Sequence, residues 1–486
     1  MEKKESVLKG IAQYSISTWI NLVVGFLSII LTTRVLLPDE YGMVSIFLSA
    51  TNFLMYIVTF GMDGAYIRFY NSPPGRDTKK QLLYKIMILS TIICVIFGSV
   101  CTLFFYNETS EYIFGVKSRL LIGMVFVYVF CQAILRFLNI NFRMGFKVKQ
   151  YTIQNILISC LARVLIIISA VLTDGIMYIV SIVSIGTLIV LIFYMFLQRK
   201  EFVPYNENGV IELSIKLKEY GSFFRFAVFS APTYFVTYFN SFMSQQIIRS
   251  SLSSHELGIF SSCGMFSSIF SAVKGGFATY WSAYVYKNHD TERKKITEMH
   301  DYIVLFSIVI YSMLIMMRDV VFIVIGKEYH SSKHFFSLLL LMPVLSLILE
   351  TTDKGIALAK KNEIILITHI VAAVTNIVGC YLLIPIVGVI GAAYADAGAA
   401  LVLYVANTFW GQKYYRTIKN WSKSVLGIII ILSLMMMPVL IFDIKIIVCV
   451  ILSLNILTFI IYKKEYKFLF QSVCQYIDKI RNKKKI

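Results

Sequence analysis

Residues 32–50, from Thr32 to Ala50, read TTRVLLPDEYGMVSIFLSA. A short polar hinge, Arg34 to Gly42, parts two apolar runs. Each run is long enough to cross a bilayer, which takes about 20 apolar residues as helix. A weaker copy, RSSLSSHELGIFSSCGMF, begins at Arg249. Glu40-Tyr41-Gly42 aligns with Glu256-Leu257-Gly258 at an offset of 216 residues, and Arg34 aligns with Arg249 after insertion of one residue in the second copy. So short an echo carries weight only if the apolar segments around it repeat in step.

They do. The chain has 486 residues, 58% of them hydrophobic and only 15% charged, where a soluble domain carries about 25% charged residues. Continuous apolar runs exclude an outer-membrane barrel, whose strands alternate apolar and polar residues. The expected fold is an all-α membrane protein of about fourteen spans: 11–33, 41–62, 82–106, 118–137, 151–172, 175–198, 222–248, 256–278, 301–317, 335–357, 363–384, 387–410, 424–442 and 444–462. The basic start MEKKESVLKG leads into a run too long for a signal peptide, so 11–33 is expected to be the first span. Spans 1–6 and 7–12 match in length and spacing, with the hinge after the first span of each. An even number of spans per unit makes them parallel repeats about an axis normal to the membrane. The expected domains are a six-helix bundle over 1–210, a second over 211–412, and two extra helices with a basic tail over 413–486.

The net charge of +19 would suggest nucleic acid in a soluble chain. Here Lys and Arg gather in the loops that share a side with the N-terminus, as cytoplasmic loops do. Both termini are therefore expected in the cytoplasm, and no nucleic-acid partner. The eight cysteines form no CxxC pair and the histidines no HExxH motif, so neither disulfide, metal site nor cofactor is expected. No loop is long enough to fold as a catalytic domain, which needs about 50 residues. The chain reads as a transporter and not an enzyme.

Polar residues at helical spacing mark faces turned away from lipid. Span 1 carries Tyr14, Thr18, Asn21, Gly25, Ser28 and Thr32; span 7 carries Ser230, Thr233, Thr237, Asn240 and Ser244. Span 2 carries Ser45, Ser49, Asn52 and Tyr56; span 8 carries Gly264, Ser267, Ser271 and Lys274. These stripes either pack helices together or line a polar cavity shared by the two repeats. A charge at mid-bilayer costs about 3 kcal/mol or more, which singles out Arg163 and Lys274. Arg34 and Arg249 end spans 1 and 7, as binding residues or as loop anchors. Arg225 and Arg318 fit snorkelling to headgroups. Glu350, Asp353 and Lys354 form an internal ion pair or an ion-coupling or gating group, and Asp396 lies inside span 12.

The motifs TTRVLLPDEYGMVS after span 1, GMDGAYIRFYN after span 2, IGKEYHSSKHFFSLLL after span 9 and PIVGVIGAAYADAGAA across span 12 resemble a known family. The whole chain is similar to the Wzx-type oligosaccharide flippases. These are polysaccharide transporters of the superfamily that includes multidrug and toxic-compound exporters and lipid II flippases. The resemblance implies a V-shaped arrangement of the two bundles in the bacterial cytoplasmic (inner) membrane. The implied cargo is an undecaprenyl-diphosphate-linked oligosaccharide repeat unit for O-antigen, lipopolysaccharide, capsule or exopolysaccharide. Membrane lipid and polysaccharide polymerase and assembly proteins are the implied partners. It also implies that spans 1, 2, 7 and 8 line the cavity. Arg163, Lys274, Arg34, Arg249, Asn21, Asn52, Thr237 and Asn240 are then the expected binding residues, because forked arginine contacts suit a diphosphate. The alternative is a drug or cation antiporter of the same fold, which calls for a carboxylate inside the first bundle. Asp396 stands where the family suggests a small residue, and leaves ion coupling open.

Overall fold

The hinge folds as its residues dictate. The computed structural model describes residues 20, 23–173, 175–204, 220–441 and 443–467. Helix α1 (Val23–Val35) closes on Thr32 and Thr33, whose hydroxyls donate back to the carbonyls of Ser28 and Ile29 at 2.7 and 2.8 Å. Helix α2 (Pro38–Thr59) starts with proline in its first turn, where the missing N–H would have had no partner anyway. Glu40 accepts from the Leu37 N–H at 3.3 Å, and Asp39 with Glu40 sits against the positive end of the helix dipole.

The rest is helical, with no strand among the described residues. After α2 come α3 (Met62–Phe69), α4 (Lys79–Leu103), α5 (Tyr106–Phe114), α6 (Arg119–Met144), α7 (Val148–Leu172) and α8 (Ile176–Phe202). The chain continues with α9 (Gly221–Ser251), α10 (Ser254–Ser262), α11 (Gly264–Asn288), α12 (Arg293–Met316) and α13 (Arg318–Val324). A 3-10 helix (Lys327–His334) leads to α14 (Phe336–Thr352), α15 (Lys354–Leu358), α16 (Asn362–Val387) and α17 (Val389–Tyr414). The chain closes with α18 (Trp421–Leu440) and α19 (Ile444–Ile461).

Ten of the described helices are long and apolar enough to cross a membrane. An eleventh is added if the 3-10 helix and α14, bent by 64°, count as one. The spans expected at 222–248 and 256–278 are helical, but their serines, threonines and tyrosines keep them below that hydropathy. The second of these is two helices, because the ladder breaks at Cys263, whose N–H turns to the Phe260 and Ser261 carbonyls. Span 1 is described only from Val23 onward apart from Ile20.

The chain divides into two compact units, residues 1–265 with 376–392, and 266–375 with 393–486. These cut the chain differently from the repeat boundaries at 210 and 412, because α9 and α10 pack on α2 and α3. In the first unit the two hinge copies meet. A Cβ on Gly42 would run into the Ser254 carbonyl, and one on Gly258 into the Pro38 carbonyl. Ser45 donates to Ser261 at 2.8 Å, across 216 residues of sequence. The offset of 216 carries Gly42 onto Gly258, Pro38 onto Ser254 and Ser45 onto Ser261, so the two glycine contacts exchange with one another and the contact is symmetric. Below it, Phe53 stacks against Phe242 at 5.7 Å and Tyr56 against Tyr238 at 4.4 Å, joining α2 to α9. The second unit is stapled by His300 of α12, fully buried between Thr351 of α14 and Ser424 of α18 at 2.8 Å each.

Candidate functional site

In the first unit, α2, α6 and α7 enclose a polar track. Helix α6 is capped by Ser118, which accepts from the Leu121 N–H. It turns Tyr128, Gln132, Arg136, Asn139 and Arg143 to one side at helical spacing. Helix α7 answers with Tyr151, Asn155, Ser159 and Arg163, and α2 with Thr51, Asn52 and Tyr56. Two cavities follow one another along these helices. One, of about 320 Å³, is lined by Asn52, Thr51, Tyr128, Gln132, Ser159 and Arg163. The other, of about 400 Å³, is lined by Tyr56, Asp63, Arg136, Asn139, Arg143, Tyr151, Asn155 and Tyr234.

Arg163 dominates the first cavity. Its Nη1 is buried and has no hydrogen-bond partner among the described residues. A Cβ on Gly25 would stand 3.4 Å from its Nη2, so α1 passes beside the guanidinium at this glycine. A partly buried cation is costly without a counter-ion; this one has none among the described residues and shares its cavity with the amides and hydroxyls of Asn52, Gln132 and Ser159. The structure thus brings two expected residues, Arg163 and Asn52, into one cavity. It also adds Gln132 and Ser159, which the reading of spans 1, 2, 7 and 8 passed over. The signal for Gln132 was in the sequence: Gln132, Arg136, Asn139 and Arg143 form a polar stripe that starts in span 4 and runs past its expected end at 137, along α6.

The second cavity holds an ion pair. Arg136 donates from Nε and Nη2 to the same oxygen of Asp63, at 2.9 and 2.6 Å, and from Nη2 to the Tyr56 hydroxyl at 3.3 Å. Asp63 is a buried residue of α3.

In the second unit, Lys274 joins the three charges from the end of span 10. Lys354 contacts Glu350 at 2.6 Å and Asp353 at 3.4 Å, and Lys274 approaches Glu350 at 3.7 Å. Two cations and two carboxylates make one cluster of zero formal charge. Lys274 therefore meets a carboxylate before it meets any cargo. Asp396 of α17 makes no ion pair or hydrogen bond among the described residues.

The remaining expected residues are dispersed. Arg249 clamps the end of α5, donating to the carbonyls of Tyr112 and Glu111, where the negative end of a helix dipole favours a cation. Arg34 is exposed at the end of α1. Thr237 is exposed and donates to the Thr233 carbonyl at 2.9 Å. Asn240 keeps a buried amide oxygen without a partner. Asn21 lies outside the described residues. Arg225 is exposed, as snorkelling requires, whereas Arg318 is only 2% exposed and bonds Asp319.

Residues 7–280 match the model of a family described as polysaccharide biosynthesis protein. No curated protein sequence matches the chain. Among solved structures, the chain is similar to the lipid II flippase MurJ in an inward closed conformation, with a TM-score of 0.68 and 13% identity, covering 95% of this chain and 99% of that one. It is also similar to an inward-facing multidrug resistance MATE family transporter of the MOP superfamily, with a TM-score of 0.59 and 14% identity over 82% and 94% of the two chains. At such identities the likeness is one of fold.

Proposed function

The chain belongs to the polysaccharide biosynthesis protein family, and we propose that it is a flippase for an undecaprenyl-diphosphate-linked oligosaccharide repeat unit. It moves this cargo across the bacterial cytoplasmic membrane by alternating access, with both termini in the cytoplasm, toward a surface polysaccharide such as O-antigen or capsule. The observation that carries the reading is Arg163. This guanidinium has no partner among the described residues and lines a polar cavity inside a span, and an anionic cargo would compensate its desolvation. The diphosphate supplies that charge, and the amides and hydroxyls around Arg163 suit sugar hydroxyls. The prenyl tail stays in lipid. No covalent step is required of the chain, and polymerase and assembly proteins are its proposed partners downstream.

The antiporter reading needs a carboxylate free to exchange protons or cations. In the first unit the carboxylate that lines a cavity, Asp63, is held by Arg136, which favours the flippase.

The test is reconstitution in proteoliposomes with a fluorescent lipid-linked oligosaccharide. Wild-type protein should expose the label to an external quencher, and Arg163→Ala should slow this at least about tenfold with normal insertion. Arg163→Lys should recover it only in part if forked contact with phosphate matters. Transport by Arg163→Ala at the wild-type rate would remove the site. No transport by wild-type protein of any lipid-linked glycan from its host would remove the function.

A further inference from the structure

The contact between Arg136 and Asp63 is one-sided. Both guanidinium donors that reach Asp63 converge on a single oxygen, Oδ2. A forked arginine–carboxylate pair would use both oxygens. The two N–H groups of Nη1 donate to nothing among the described residues. The Asn155 amide in the same wall has no hydrogen bond either, and Arg143 brings a second cation to the lining. Beneath the guanidinium lies an aromatic floor: Arg136 sits 5.3 Å over the Tyr56 ring, which stacks on Tyr238 at 4.4 Å and Tyr234 at 5.9 Å. Spare guanidinium donors beside the Asn155 amide suit phosphate oxygens, and the exposed Tyr234 ring in the lining suits the apolar face of a pyranose.

We infer that this cavity is a docking subsite for a glycosyl diphosphate, in which Asp63 is a resident counter-ion that phosphate displaces from Arg136. The inference rests on the proposed cargo and adds to it a second station, reached along the same α2, α6 and α7 faces as Arg163. Asp63 gives the subsite an exchange logic. Between cargoes it neutralises the arginine, and it sets the affinity low enough for the cargo to leave. Removing its charge should therefore tighten anion binding, the opposite of what loss of a scaffold residue does.

The experiment uses full-length protein in lipid nanodiscs, with inorganic pyrophosphate as probe and isothermal titration as readout. An Arg163→Met background confines the readout to this cavity. Asp63→Asn should bind pyrophosphate at least about tenfold tighter than its parent, and Arg136→Gln at least about tenfold weaker, with Arg136→Lys between. Unchanged or weaker binding by Asp63→Asn overturns the inference, as does parental affinity in Arg136→Gln. If Arg136→Gln does not fold, Asp63→Asn decides alone; if neither folds, the pair is a structural staple and the inference falls. Translocation of the lipid-linked cargo by wild-type protein is measured in parallel. Transport without this binding pattern refutes the subsite and leaves the proposed function standing. The pattern without transport refutes the proposed function and leaves an anion site.

Discussion

Arg163 and the Lys274 cluster separate two kinds of intramembrane charge. An unpartnered buried cation lowers stability, so replacing it with an apolar side chain of similar volume should be neutral or stabilising. Arg163→Met is expected to unfold in detergent at the same temperature as wild type or higher, while losing transport. A lower midpoint together with the loss would mark Arg163 as scaffold. Lys354 is the contrary case, since its side chain and that of Glu350 are only 10% and 14% exposed. Breaking such a pair leaves a buried carboxylate uncompensated, and Lys354→Met should cost about 3 kcal/mol. Lys274 is farther from Glu350 and more exposed, so Lys274→Met should cost under about 1 kcal/mol. Thermal unfolding of the two variants checks the ranking; equal losses would reject it.

At the scale of elements, the two hinge copies determine how close α2 and α10 come. Gly42 and Gly258 each face a carbonyl with no space for a Cβ, so Gly42→Val and Gly258→Val should each cost about 1–3 kcal/mol as overpacking. Both open the same interface, and the double variant should cost clearly less than their sum. Additive losses would show that the glycines act separately. The Ser45–Ser261 contact offers a second check. Cysteines at both positions should cross-link under mild oxidation, and the link should stop transport until it is reduced if this contact opens during the cycle. Full transport by the cross-linked protein would show that the hinge contact stays closed throughout. The same element shows how the polar stripes divide. Ser45 bonds Ser261 and Gln245, and Ser244 contacts Cys380, so these positions pack helices. Asn52, on the same helix as Ser45, lines a cavity. Spacing finds the non-lipid side of a helix, yet packing and ligand-facing residues share it.

For the whole molecule, the distribution of basic residues gives a topology that reporter fusions can read. An alkaline phosphatase fused after Lys117, between α5 and α6, should be active from the periplasm, and one fused after Lys147, between α6 and α7, inactive. The reverse pattern would invert the protein and the direction of proposed transport. The compact units carry a different lesson. The repeat was legible as an offset of 216 residues, but α9 and α10 belong with the first unit by contact, because the hinge glycines and the aromatic rings of α2 and α9 interlock.

Hydropathy and charge by themselves determined that the chain is a polytopic helical membrane protein, and an echo at an offset of 216 residues marked the two hinge stretches. These properties depend on composition and on periodicity along one helix, and both are written in the order of residues. The same order placed Arg163 inside a span, where its charge alone made it a candidate. Which charges have partners was decided only by the tertiary structure. Asp63 and Arg136 lie 73 positions apart and Lys274 and Glu350 lie 76 apart, and no pattern along either helix brings them together. An ionic group acts according to its distance from its neighbours, and those distances exist only once the helices are packed.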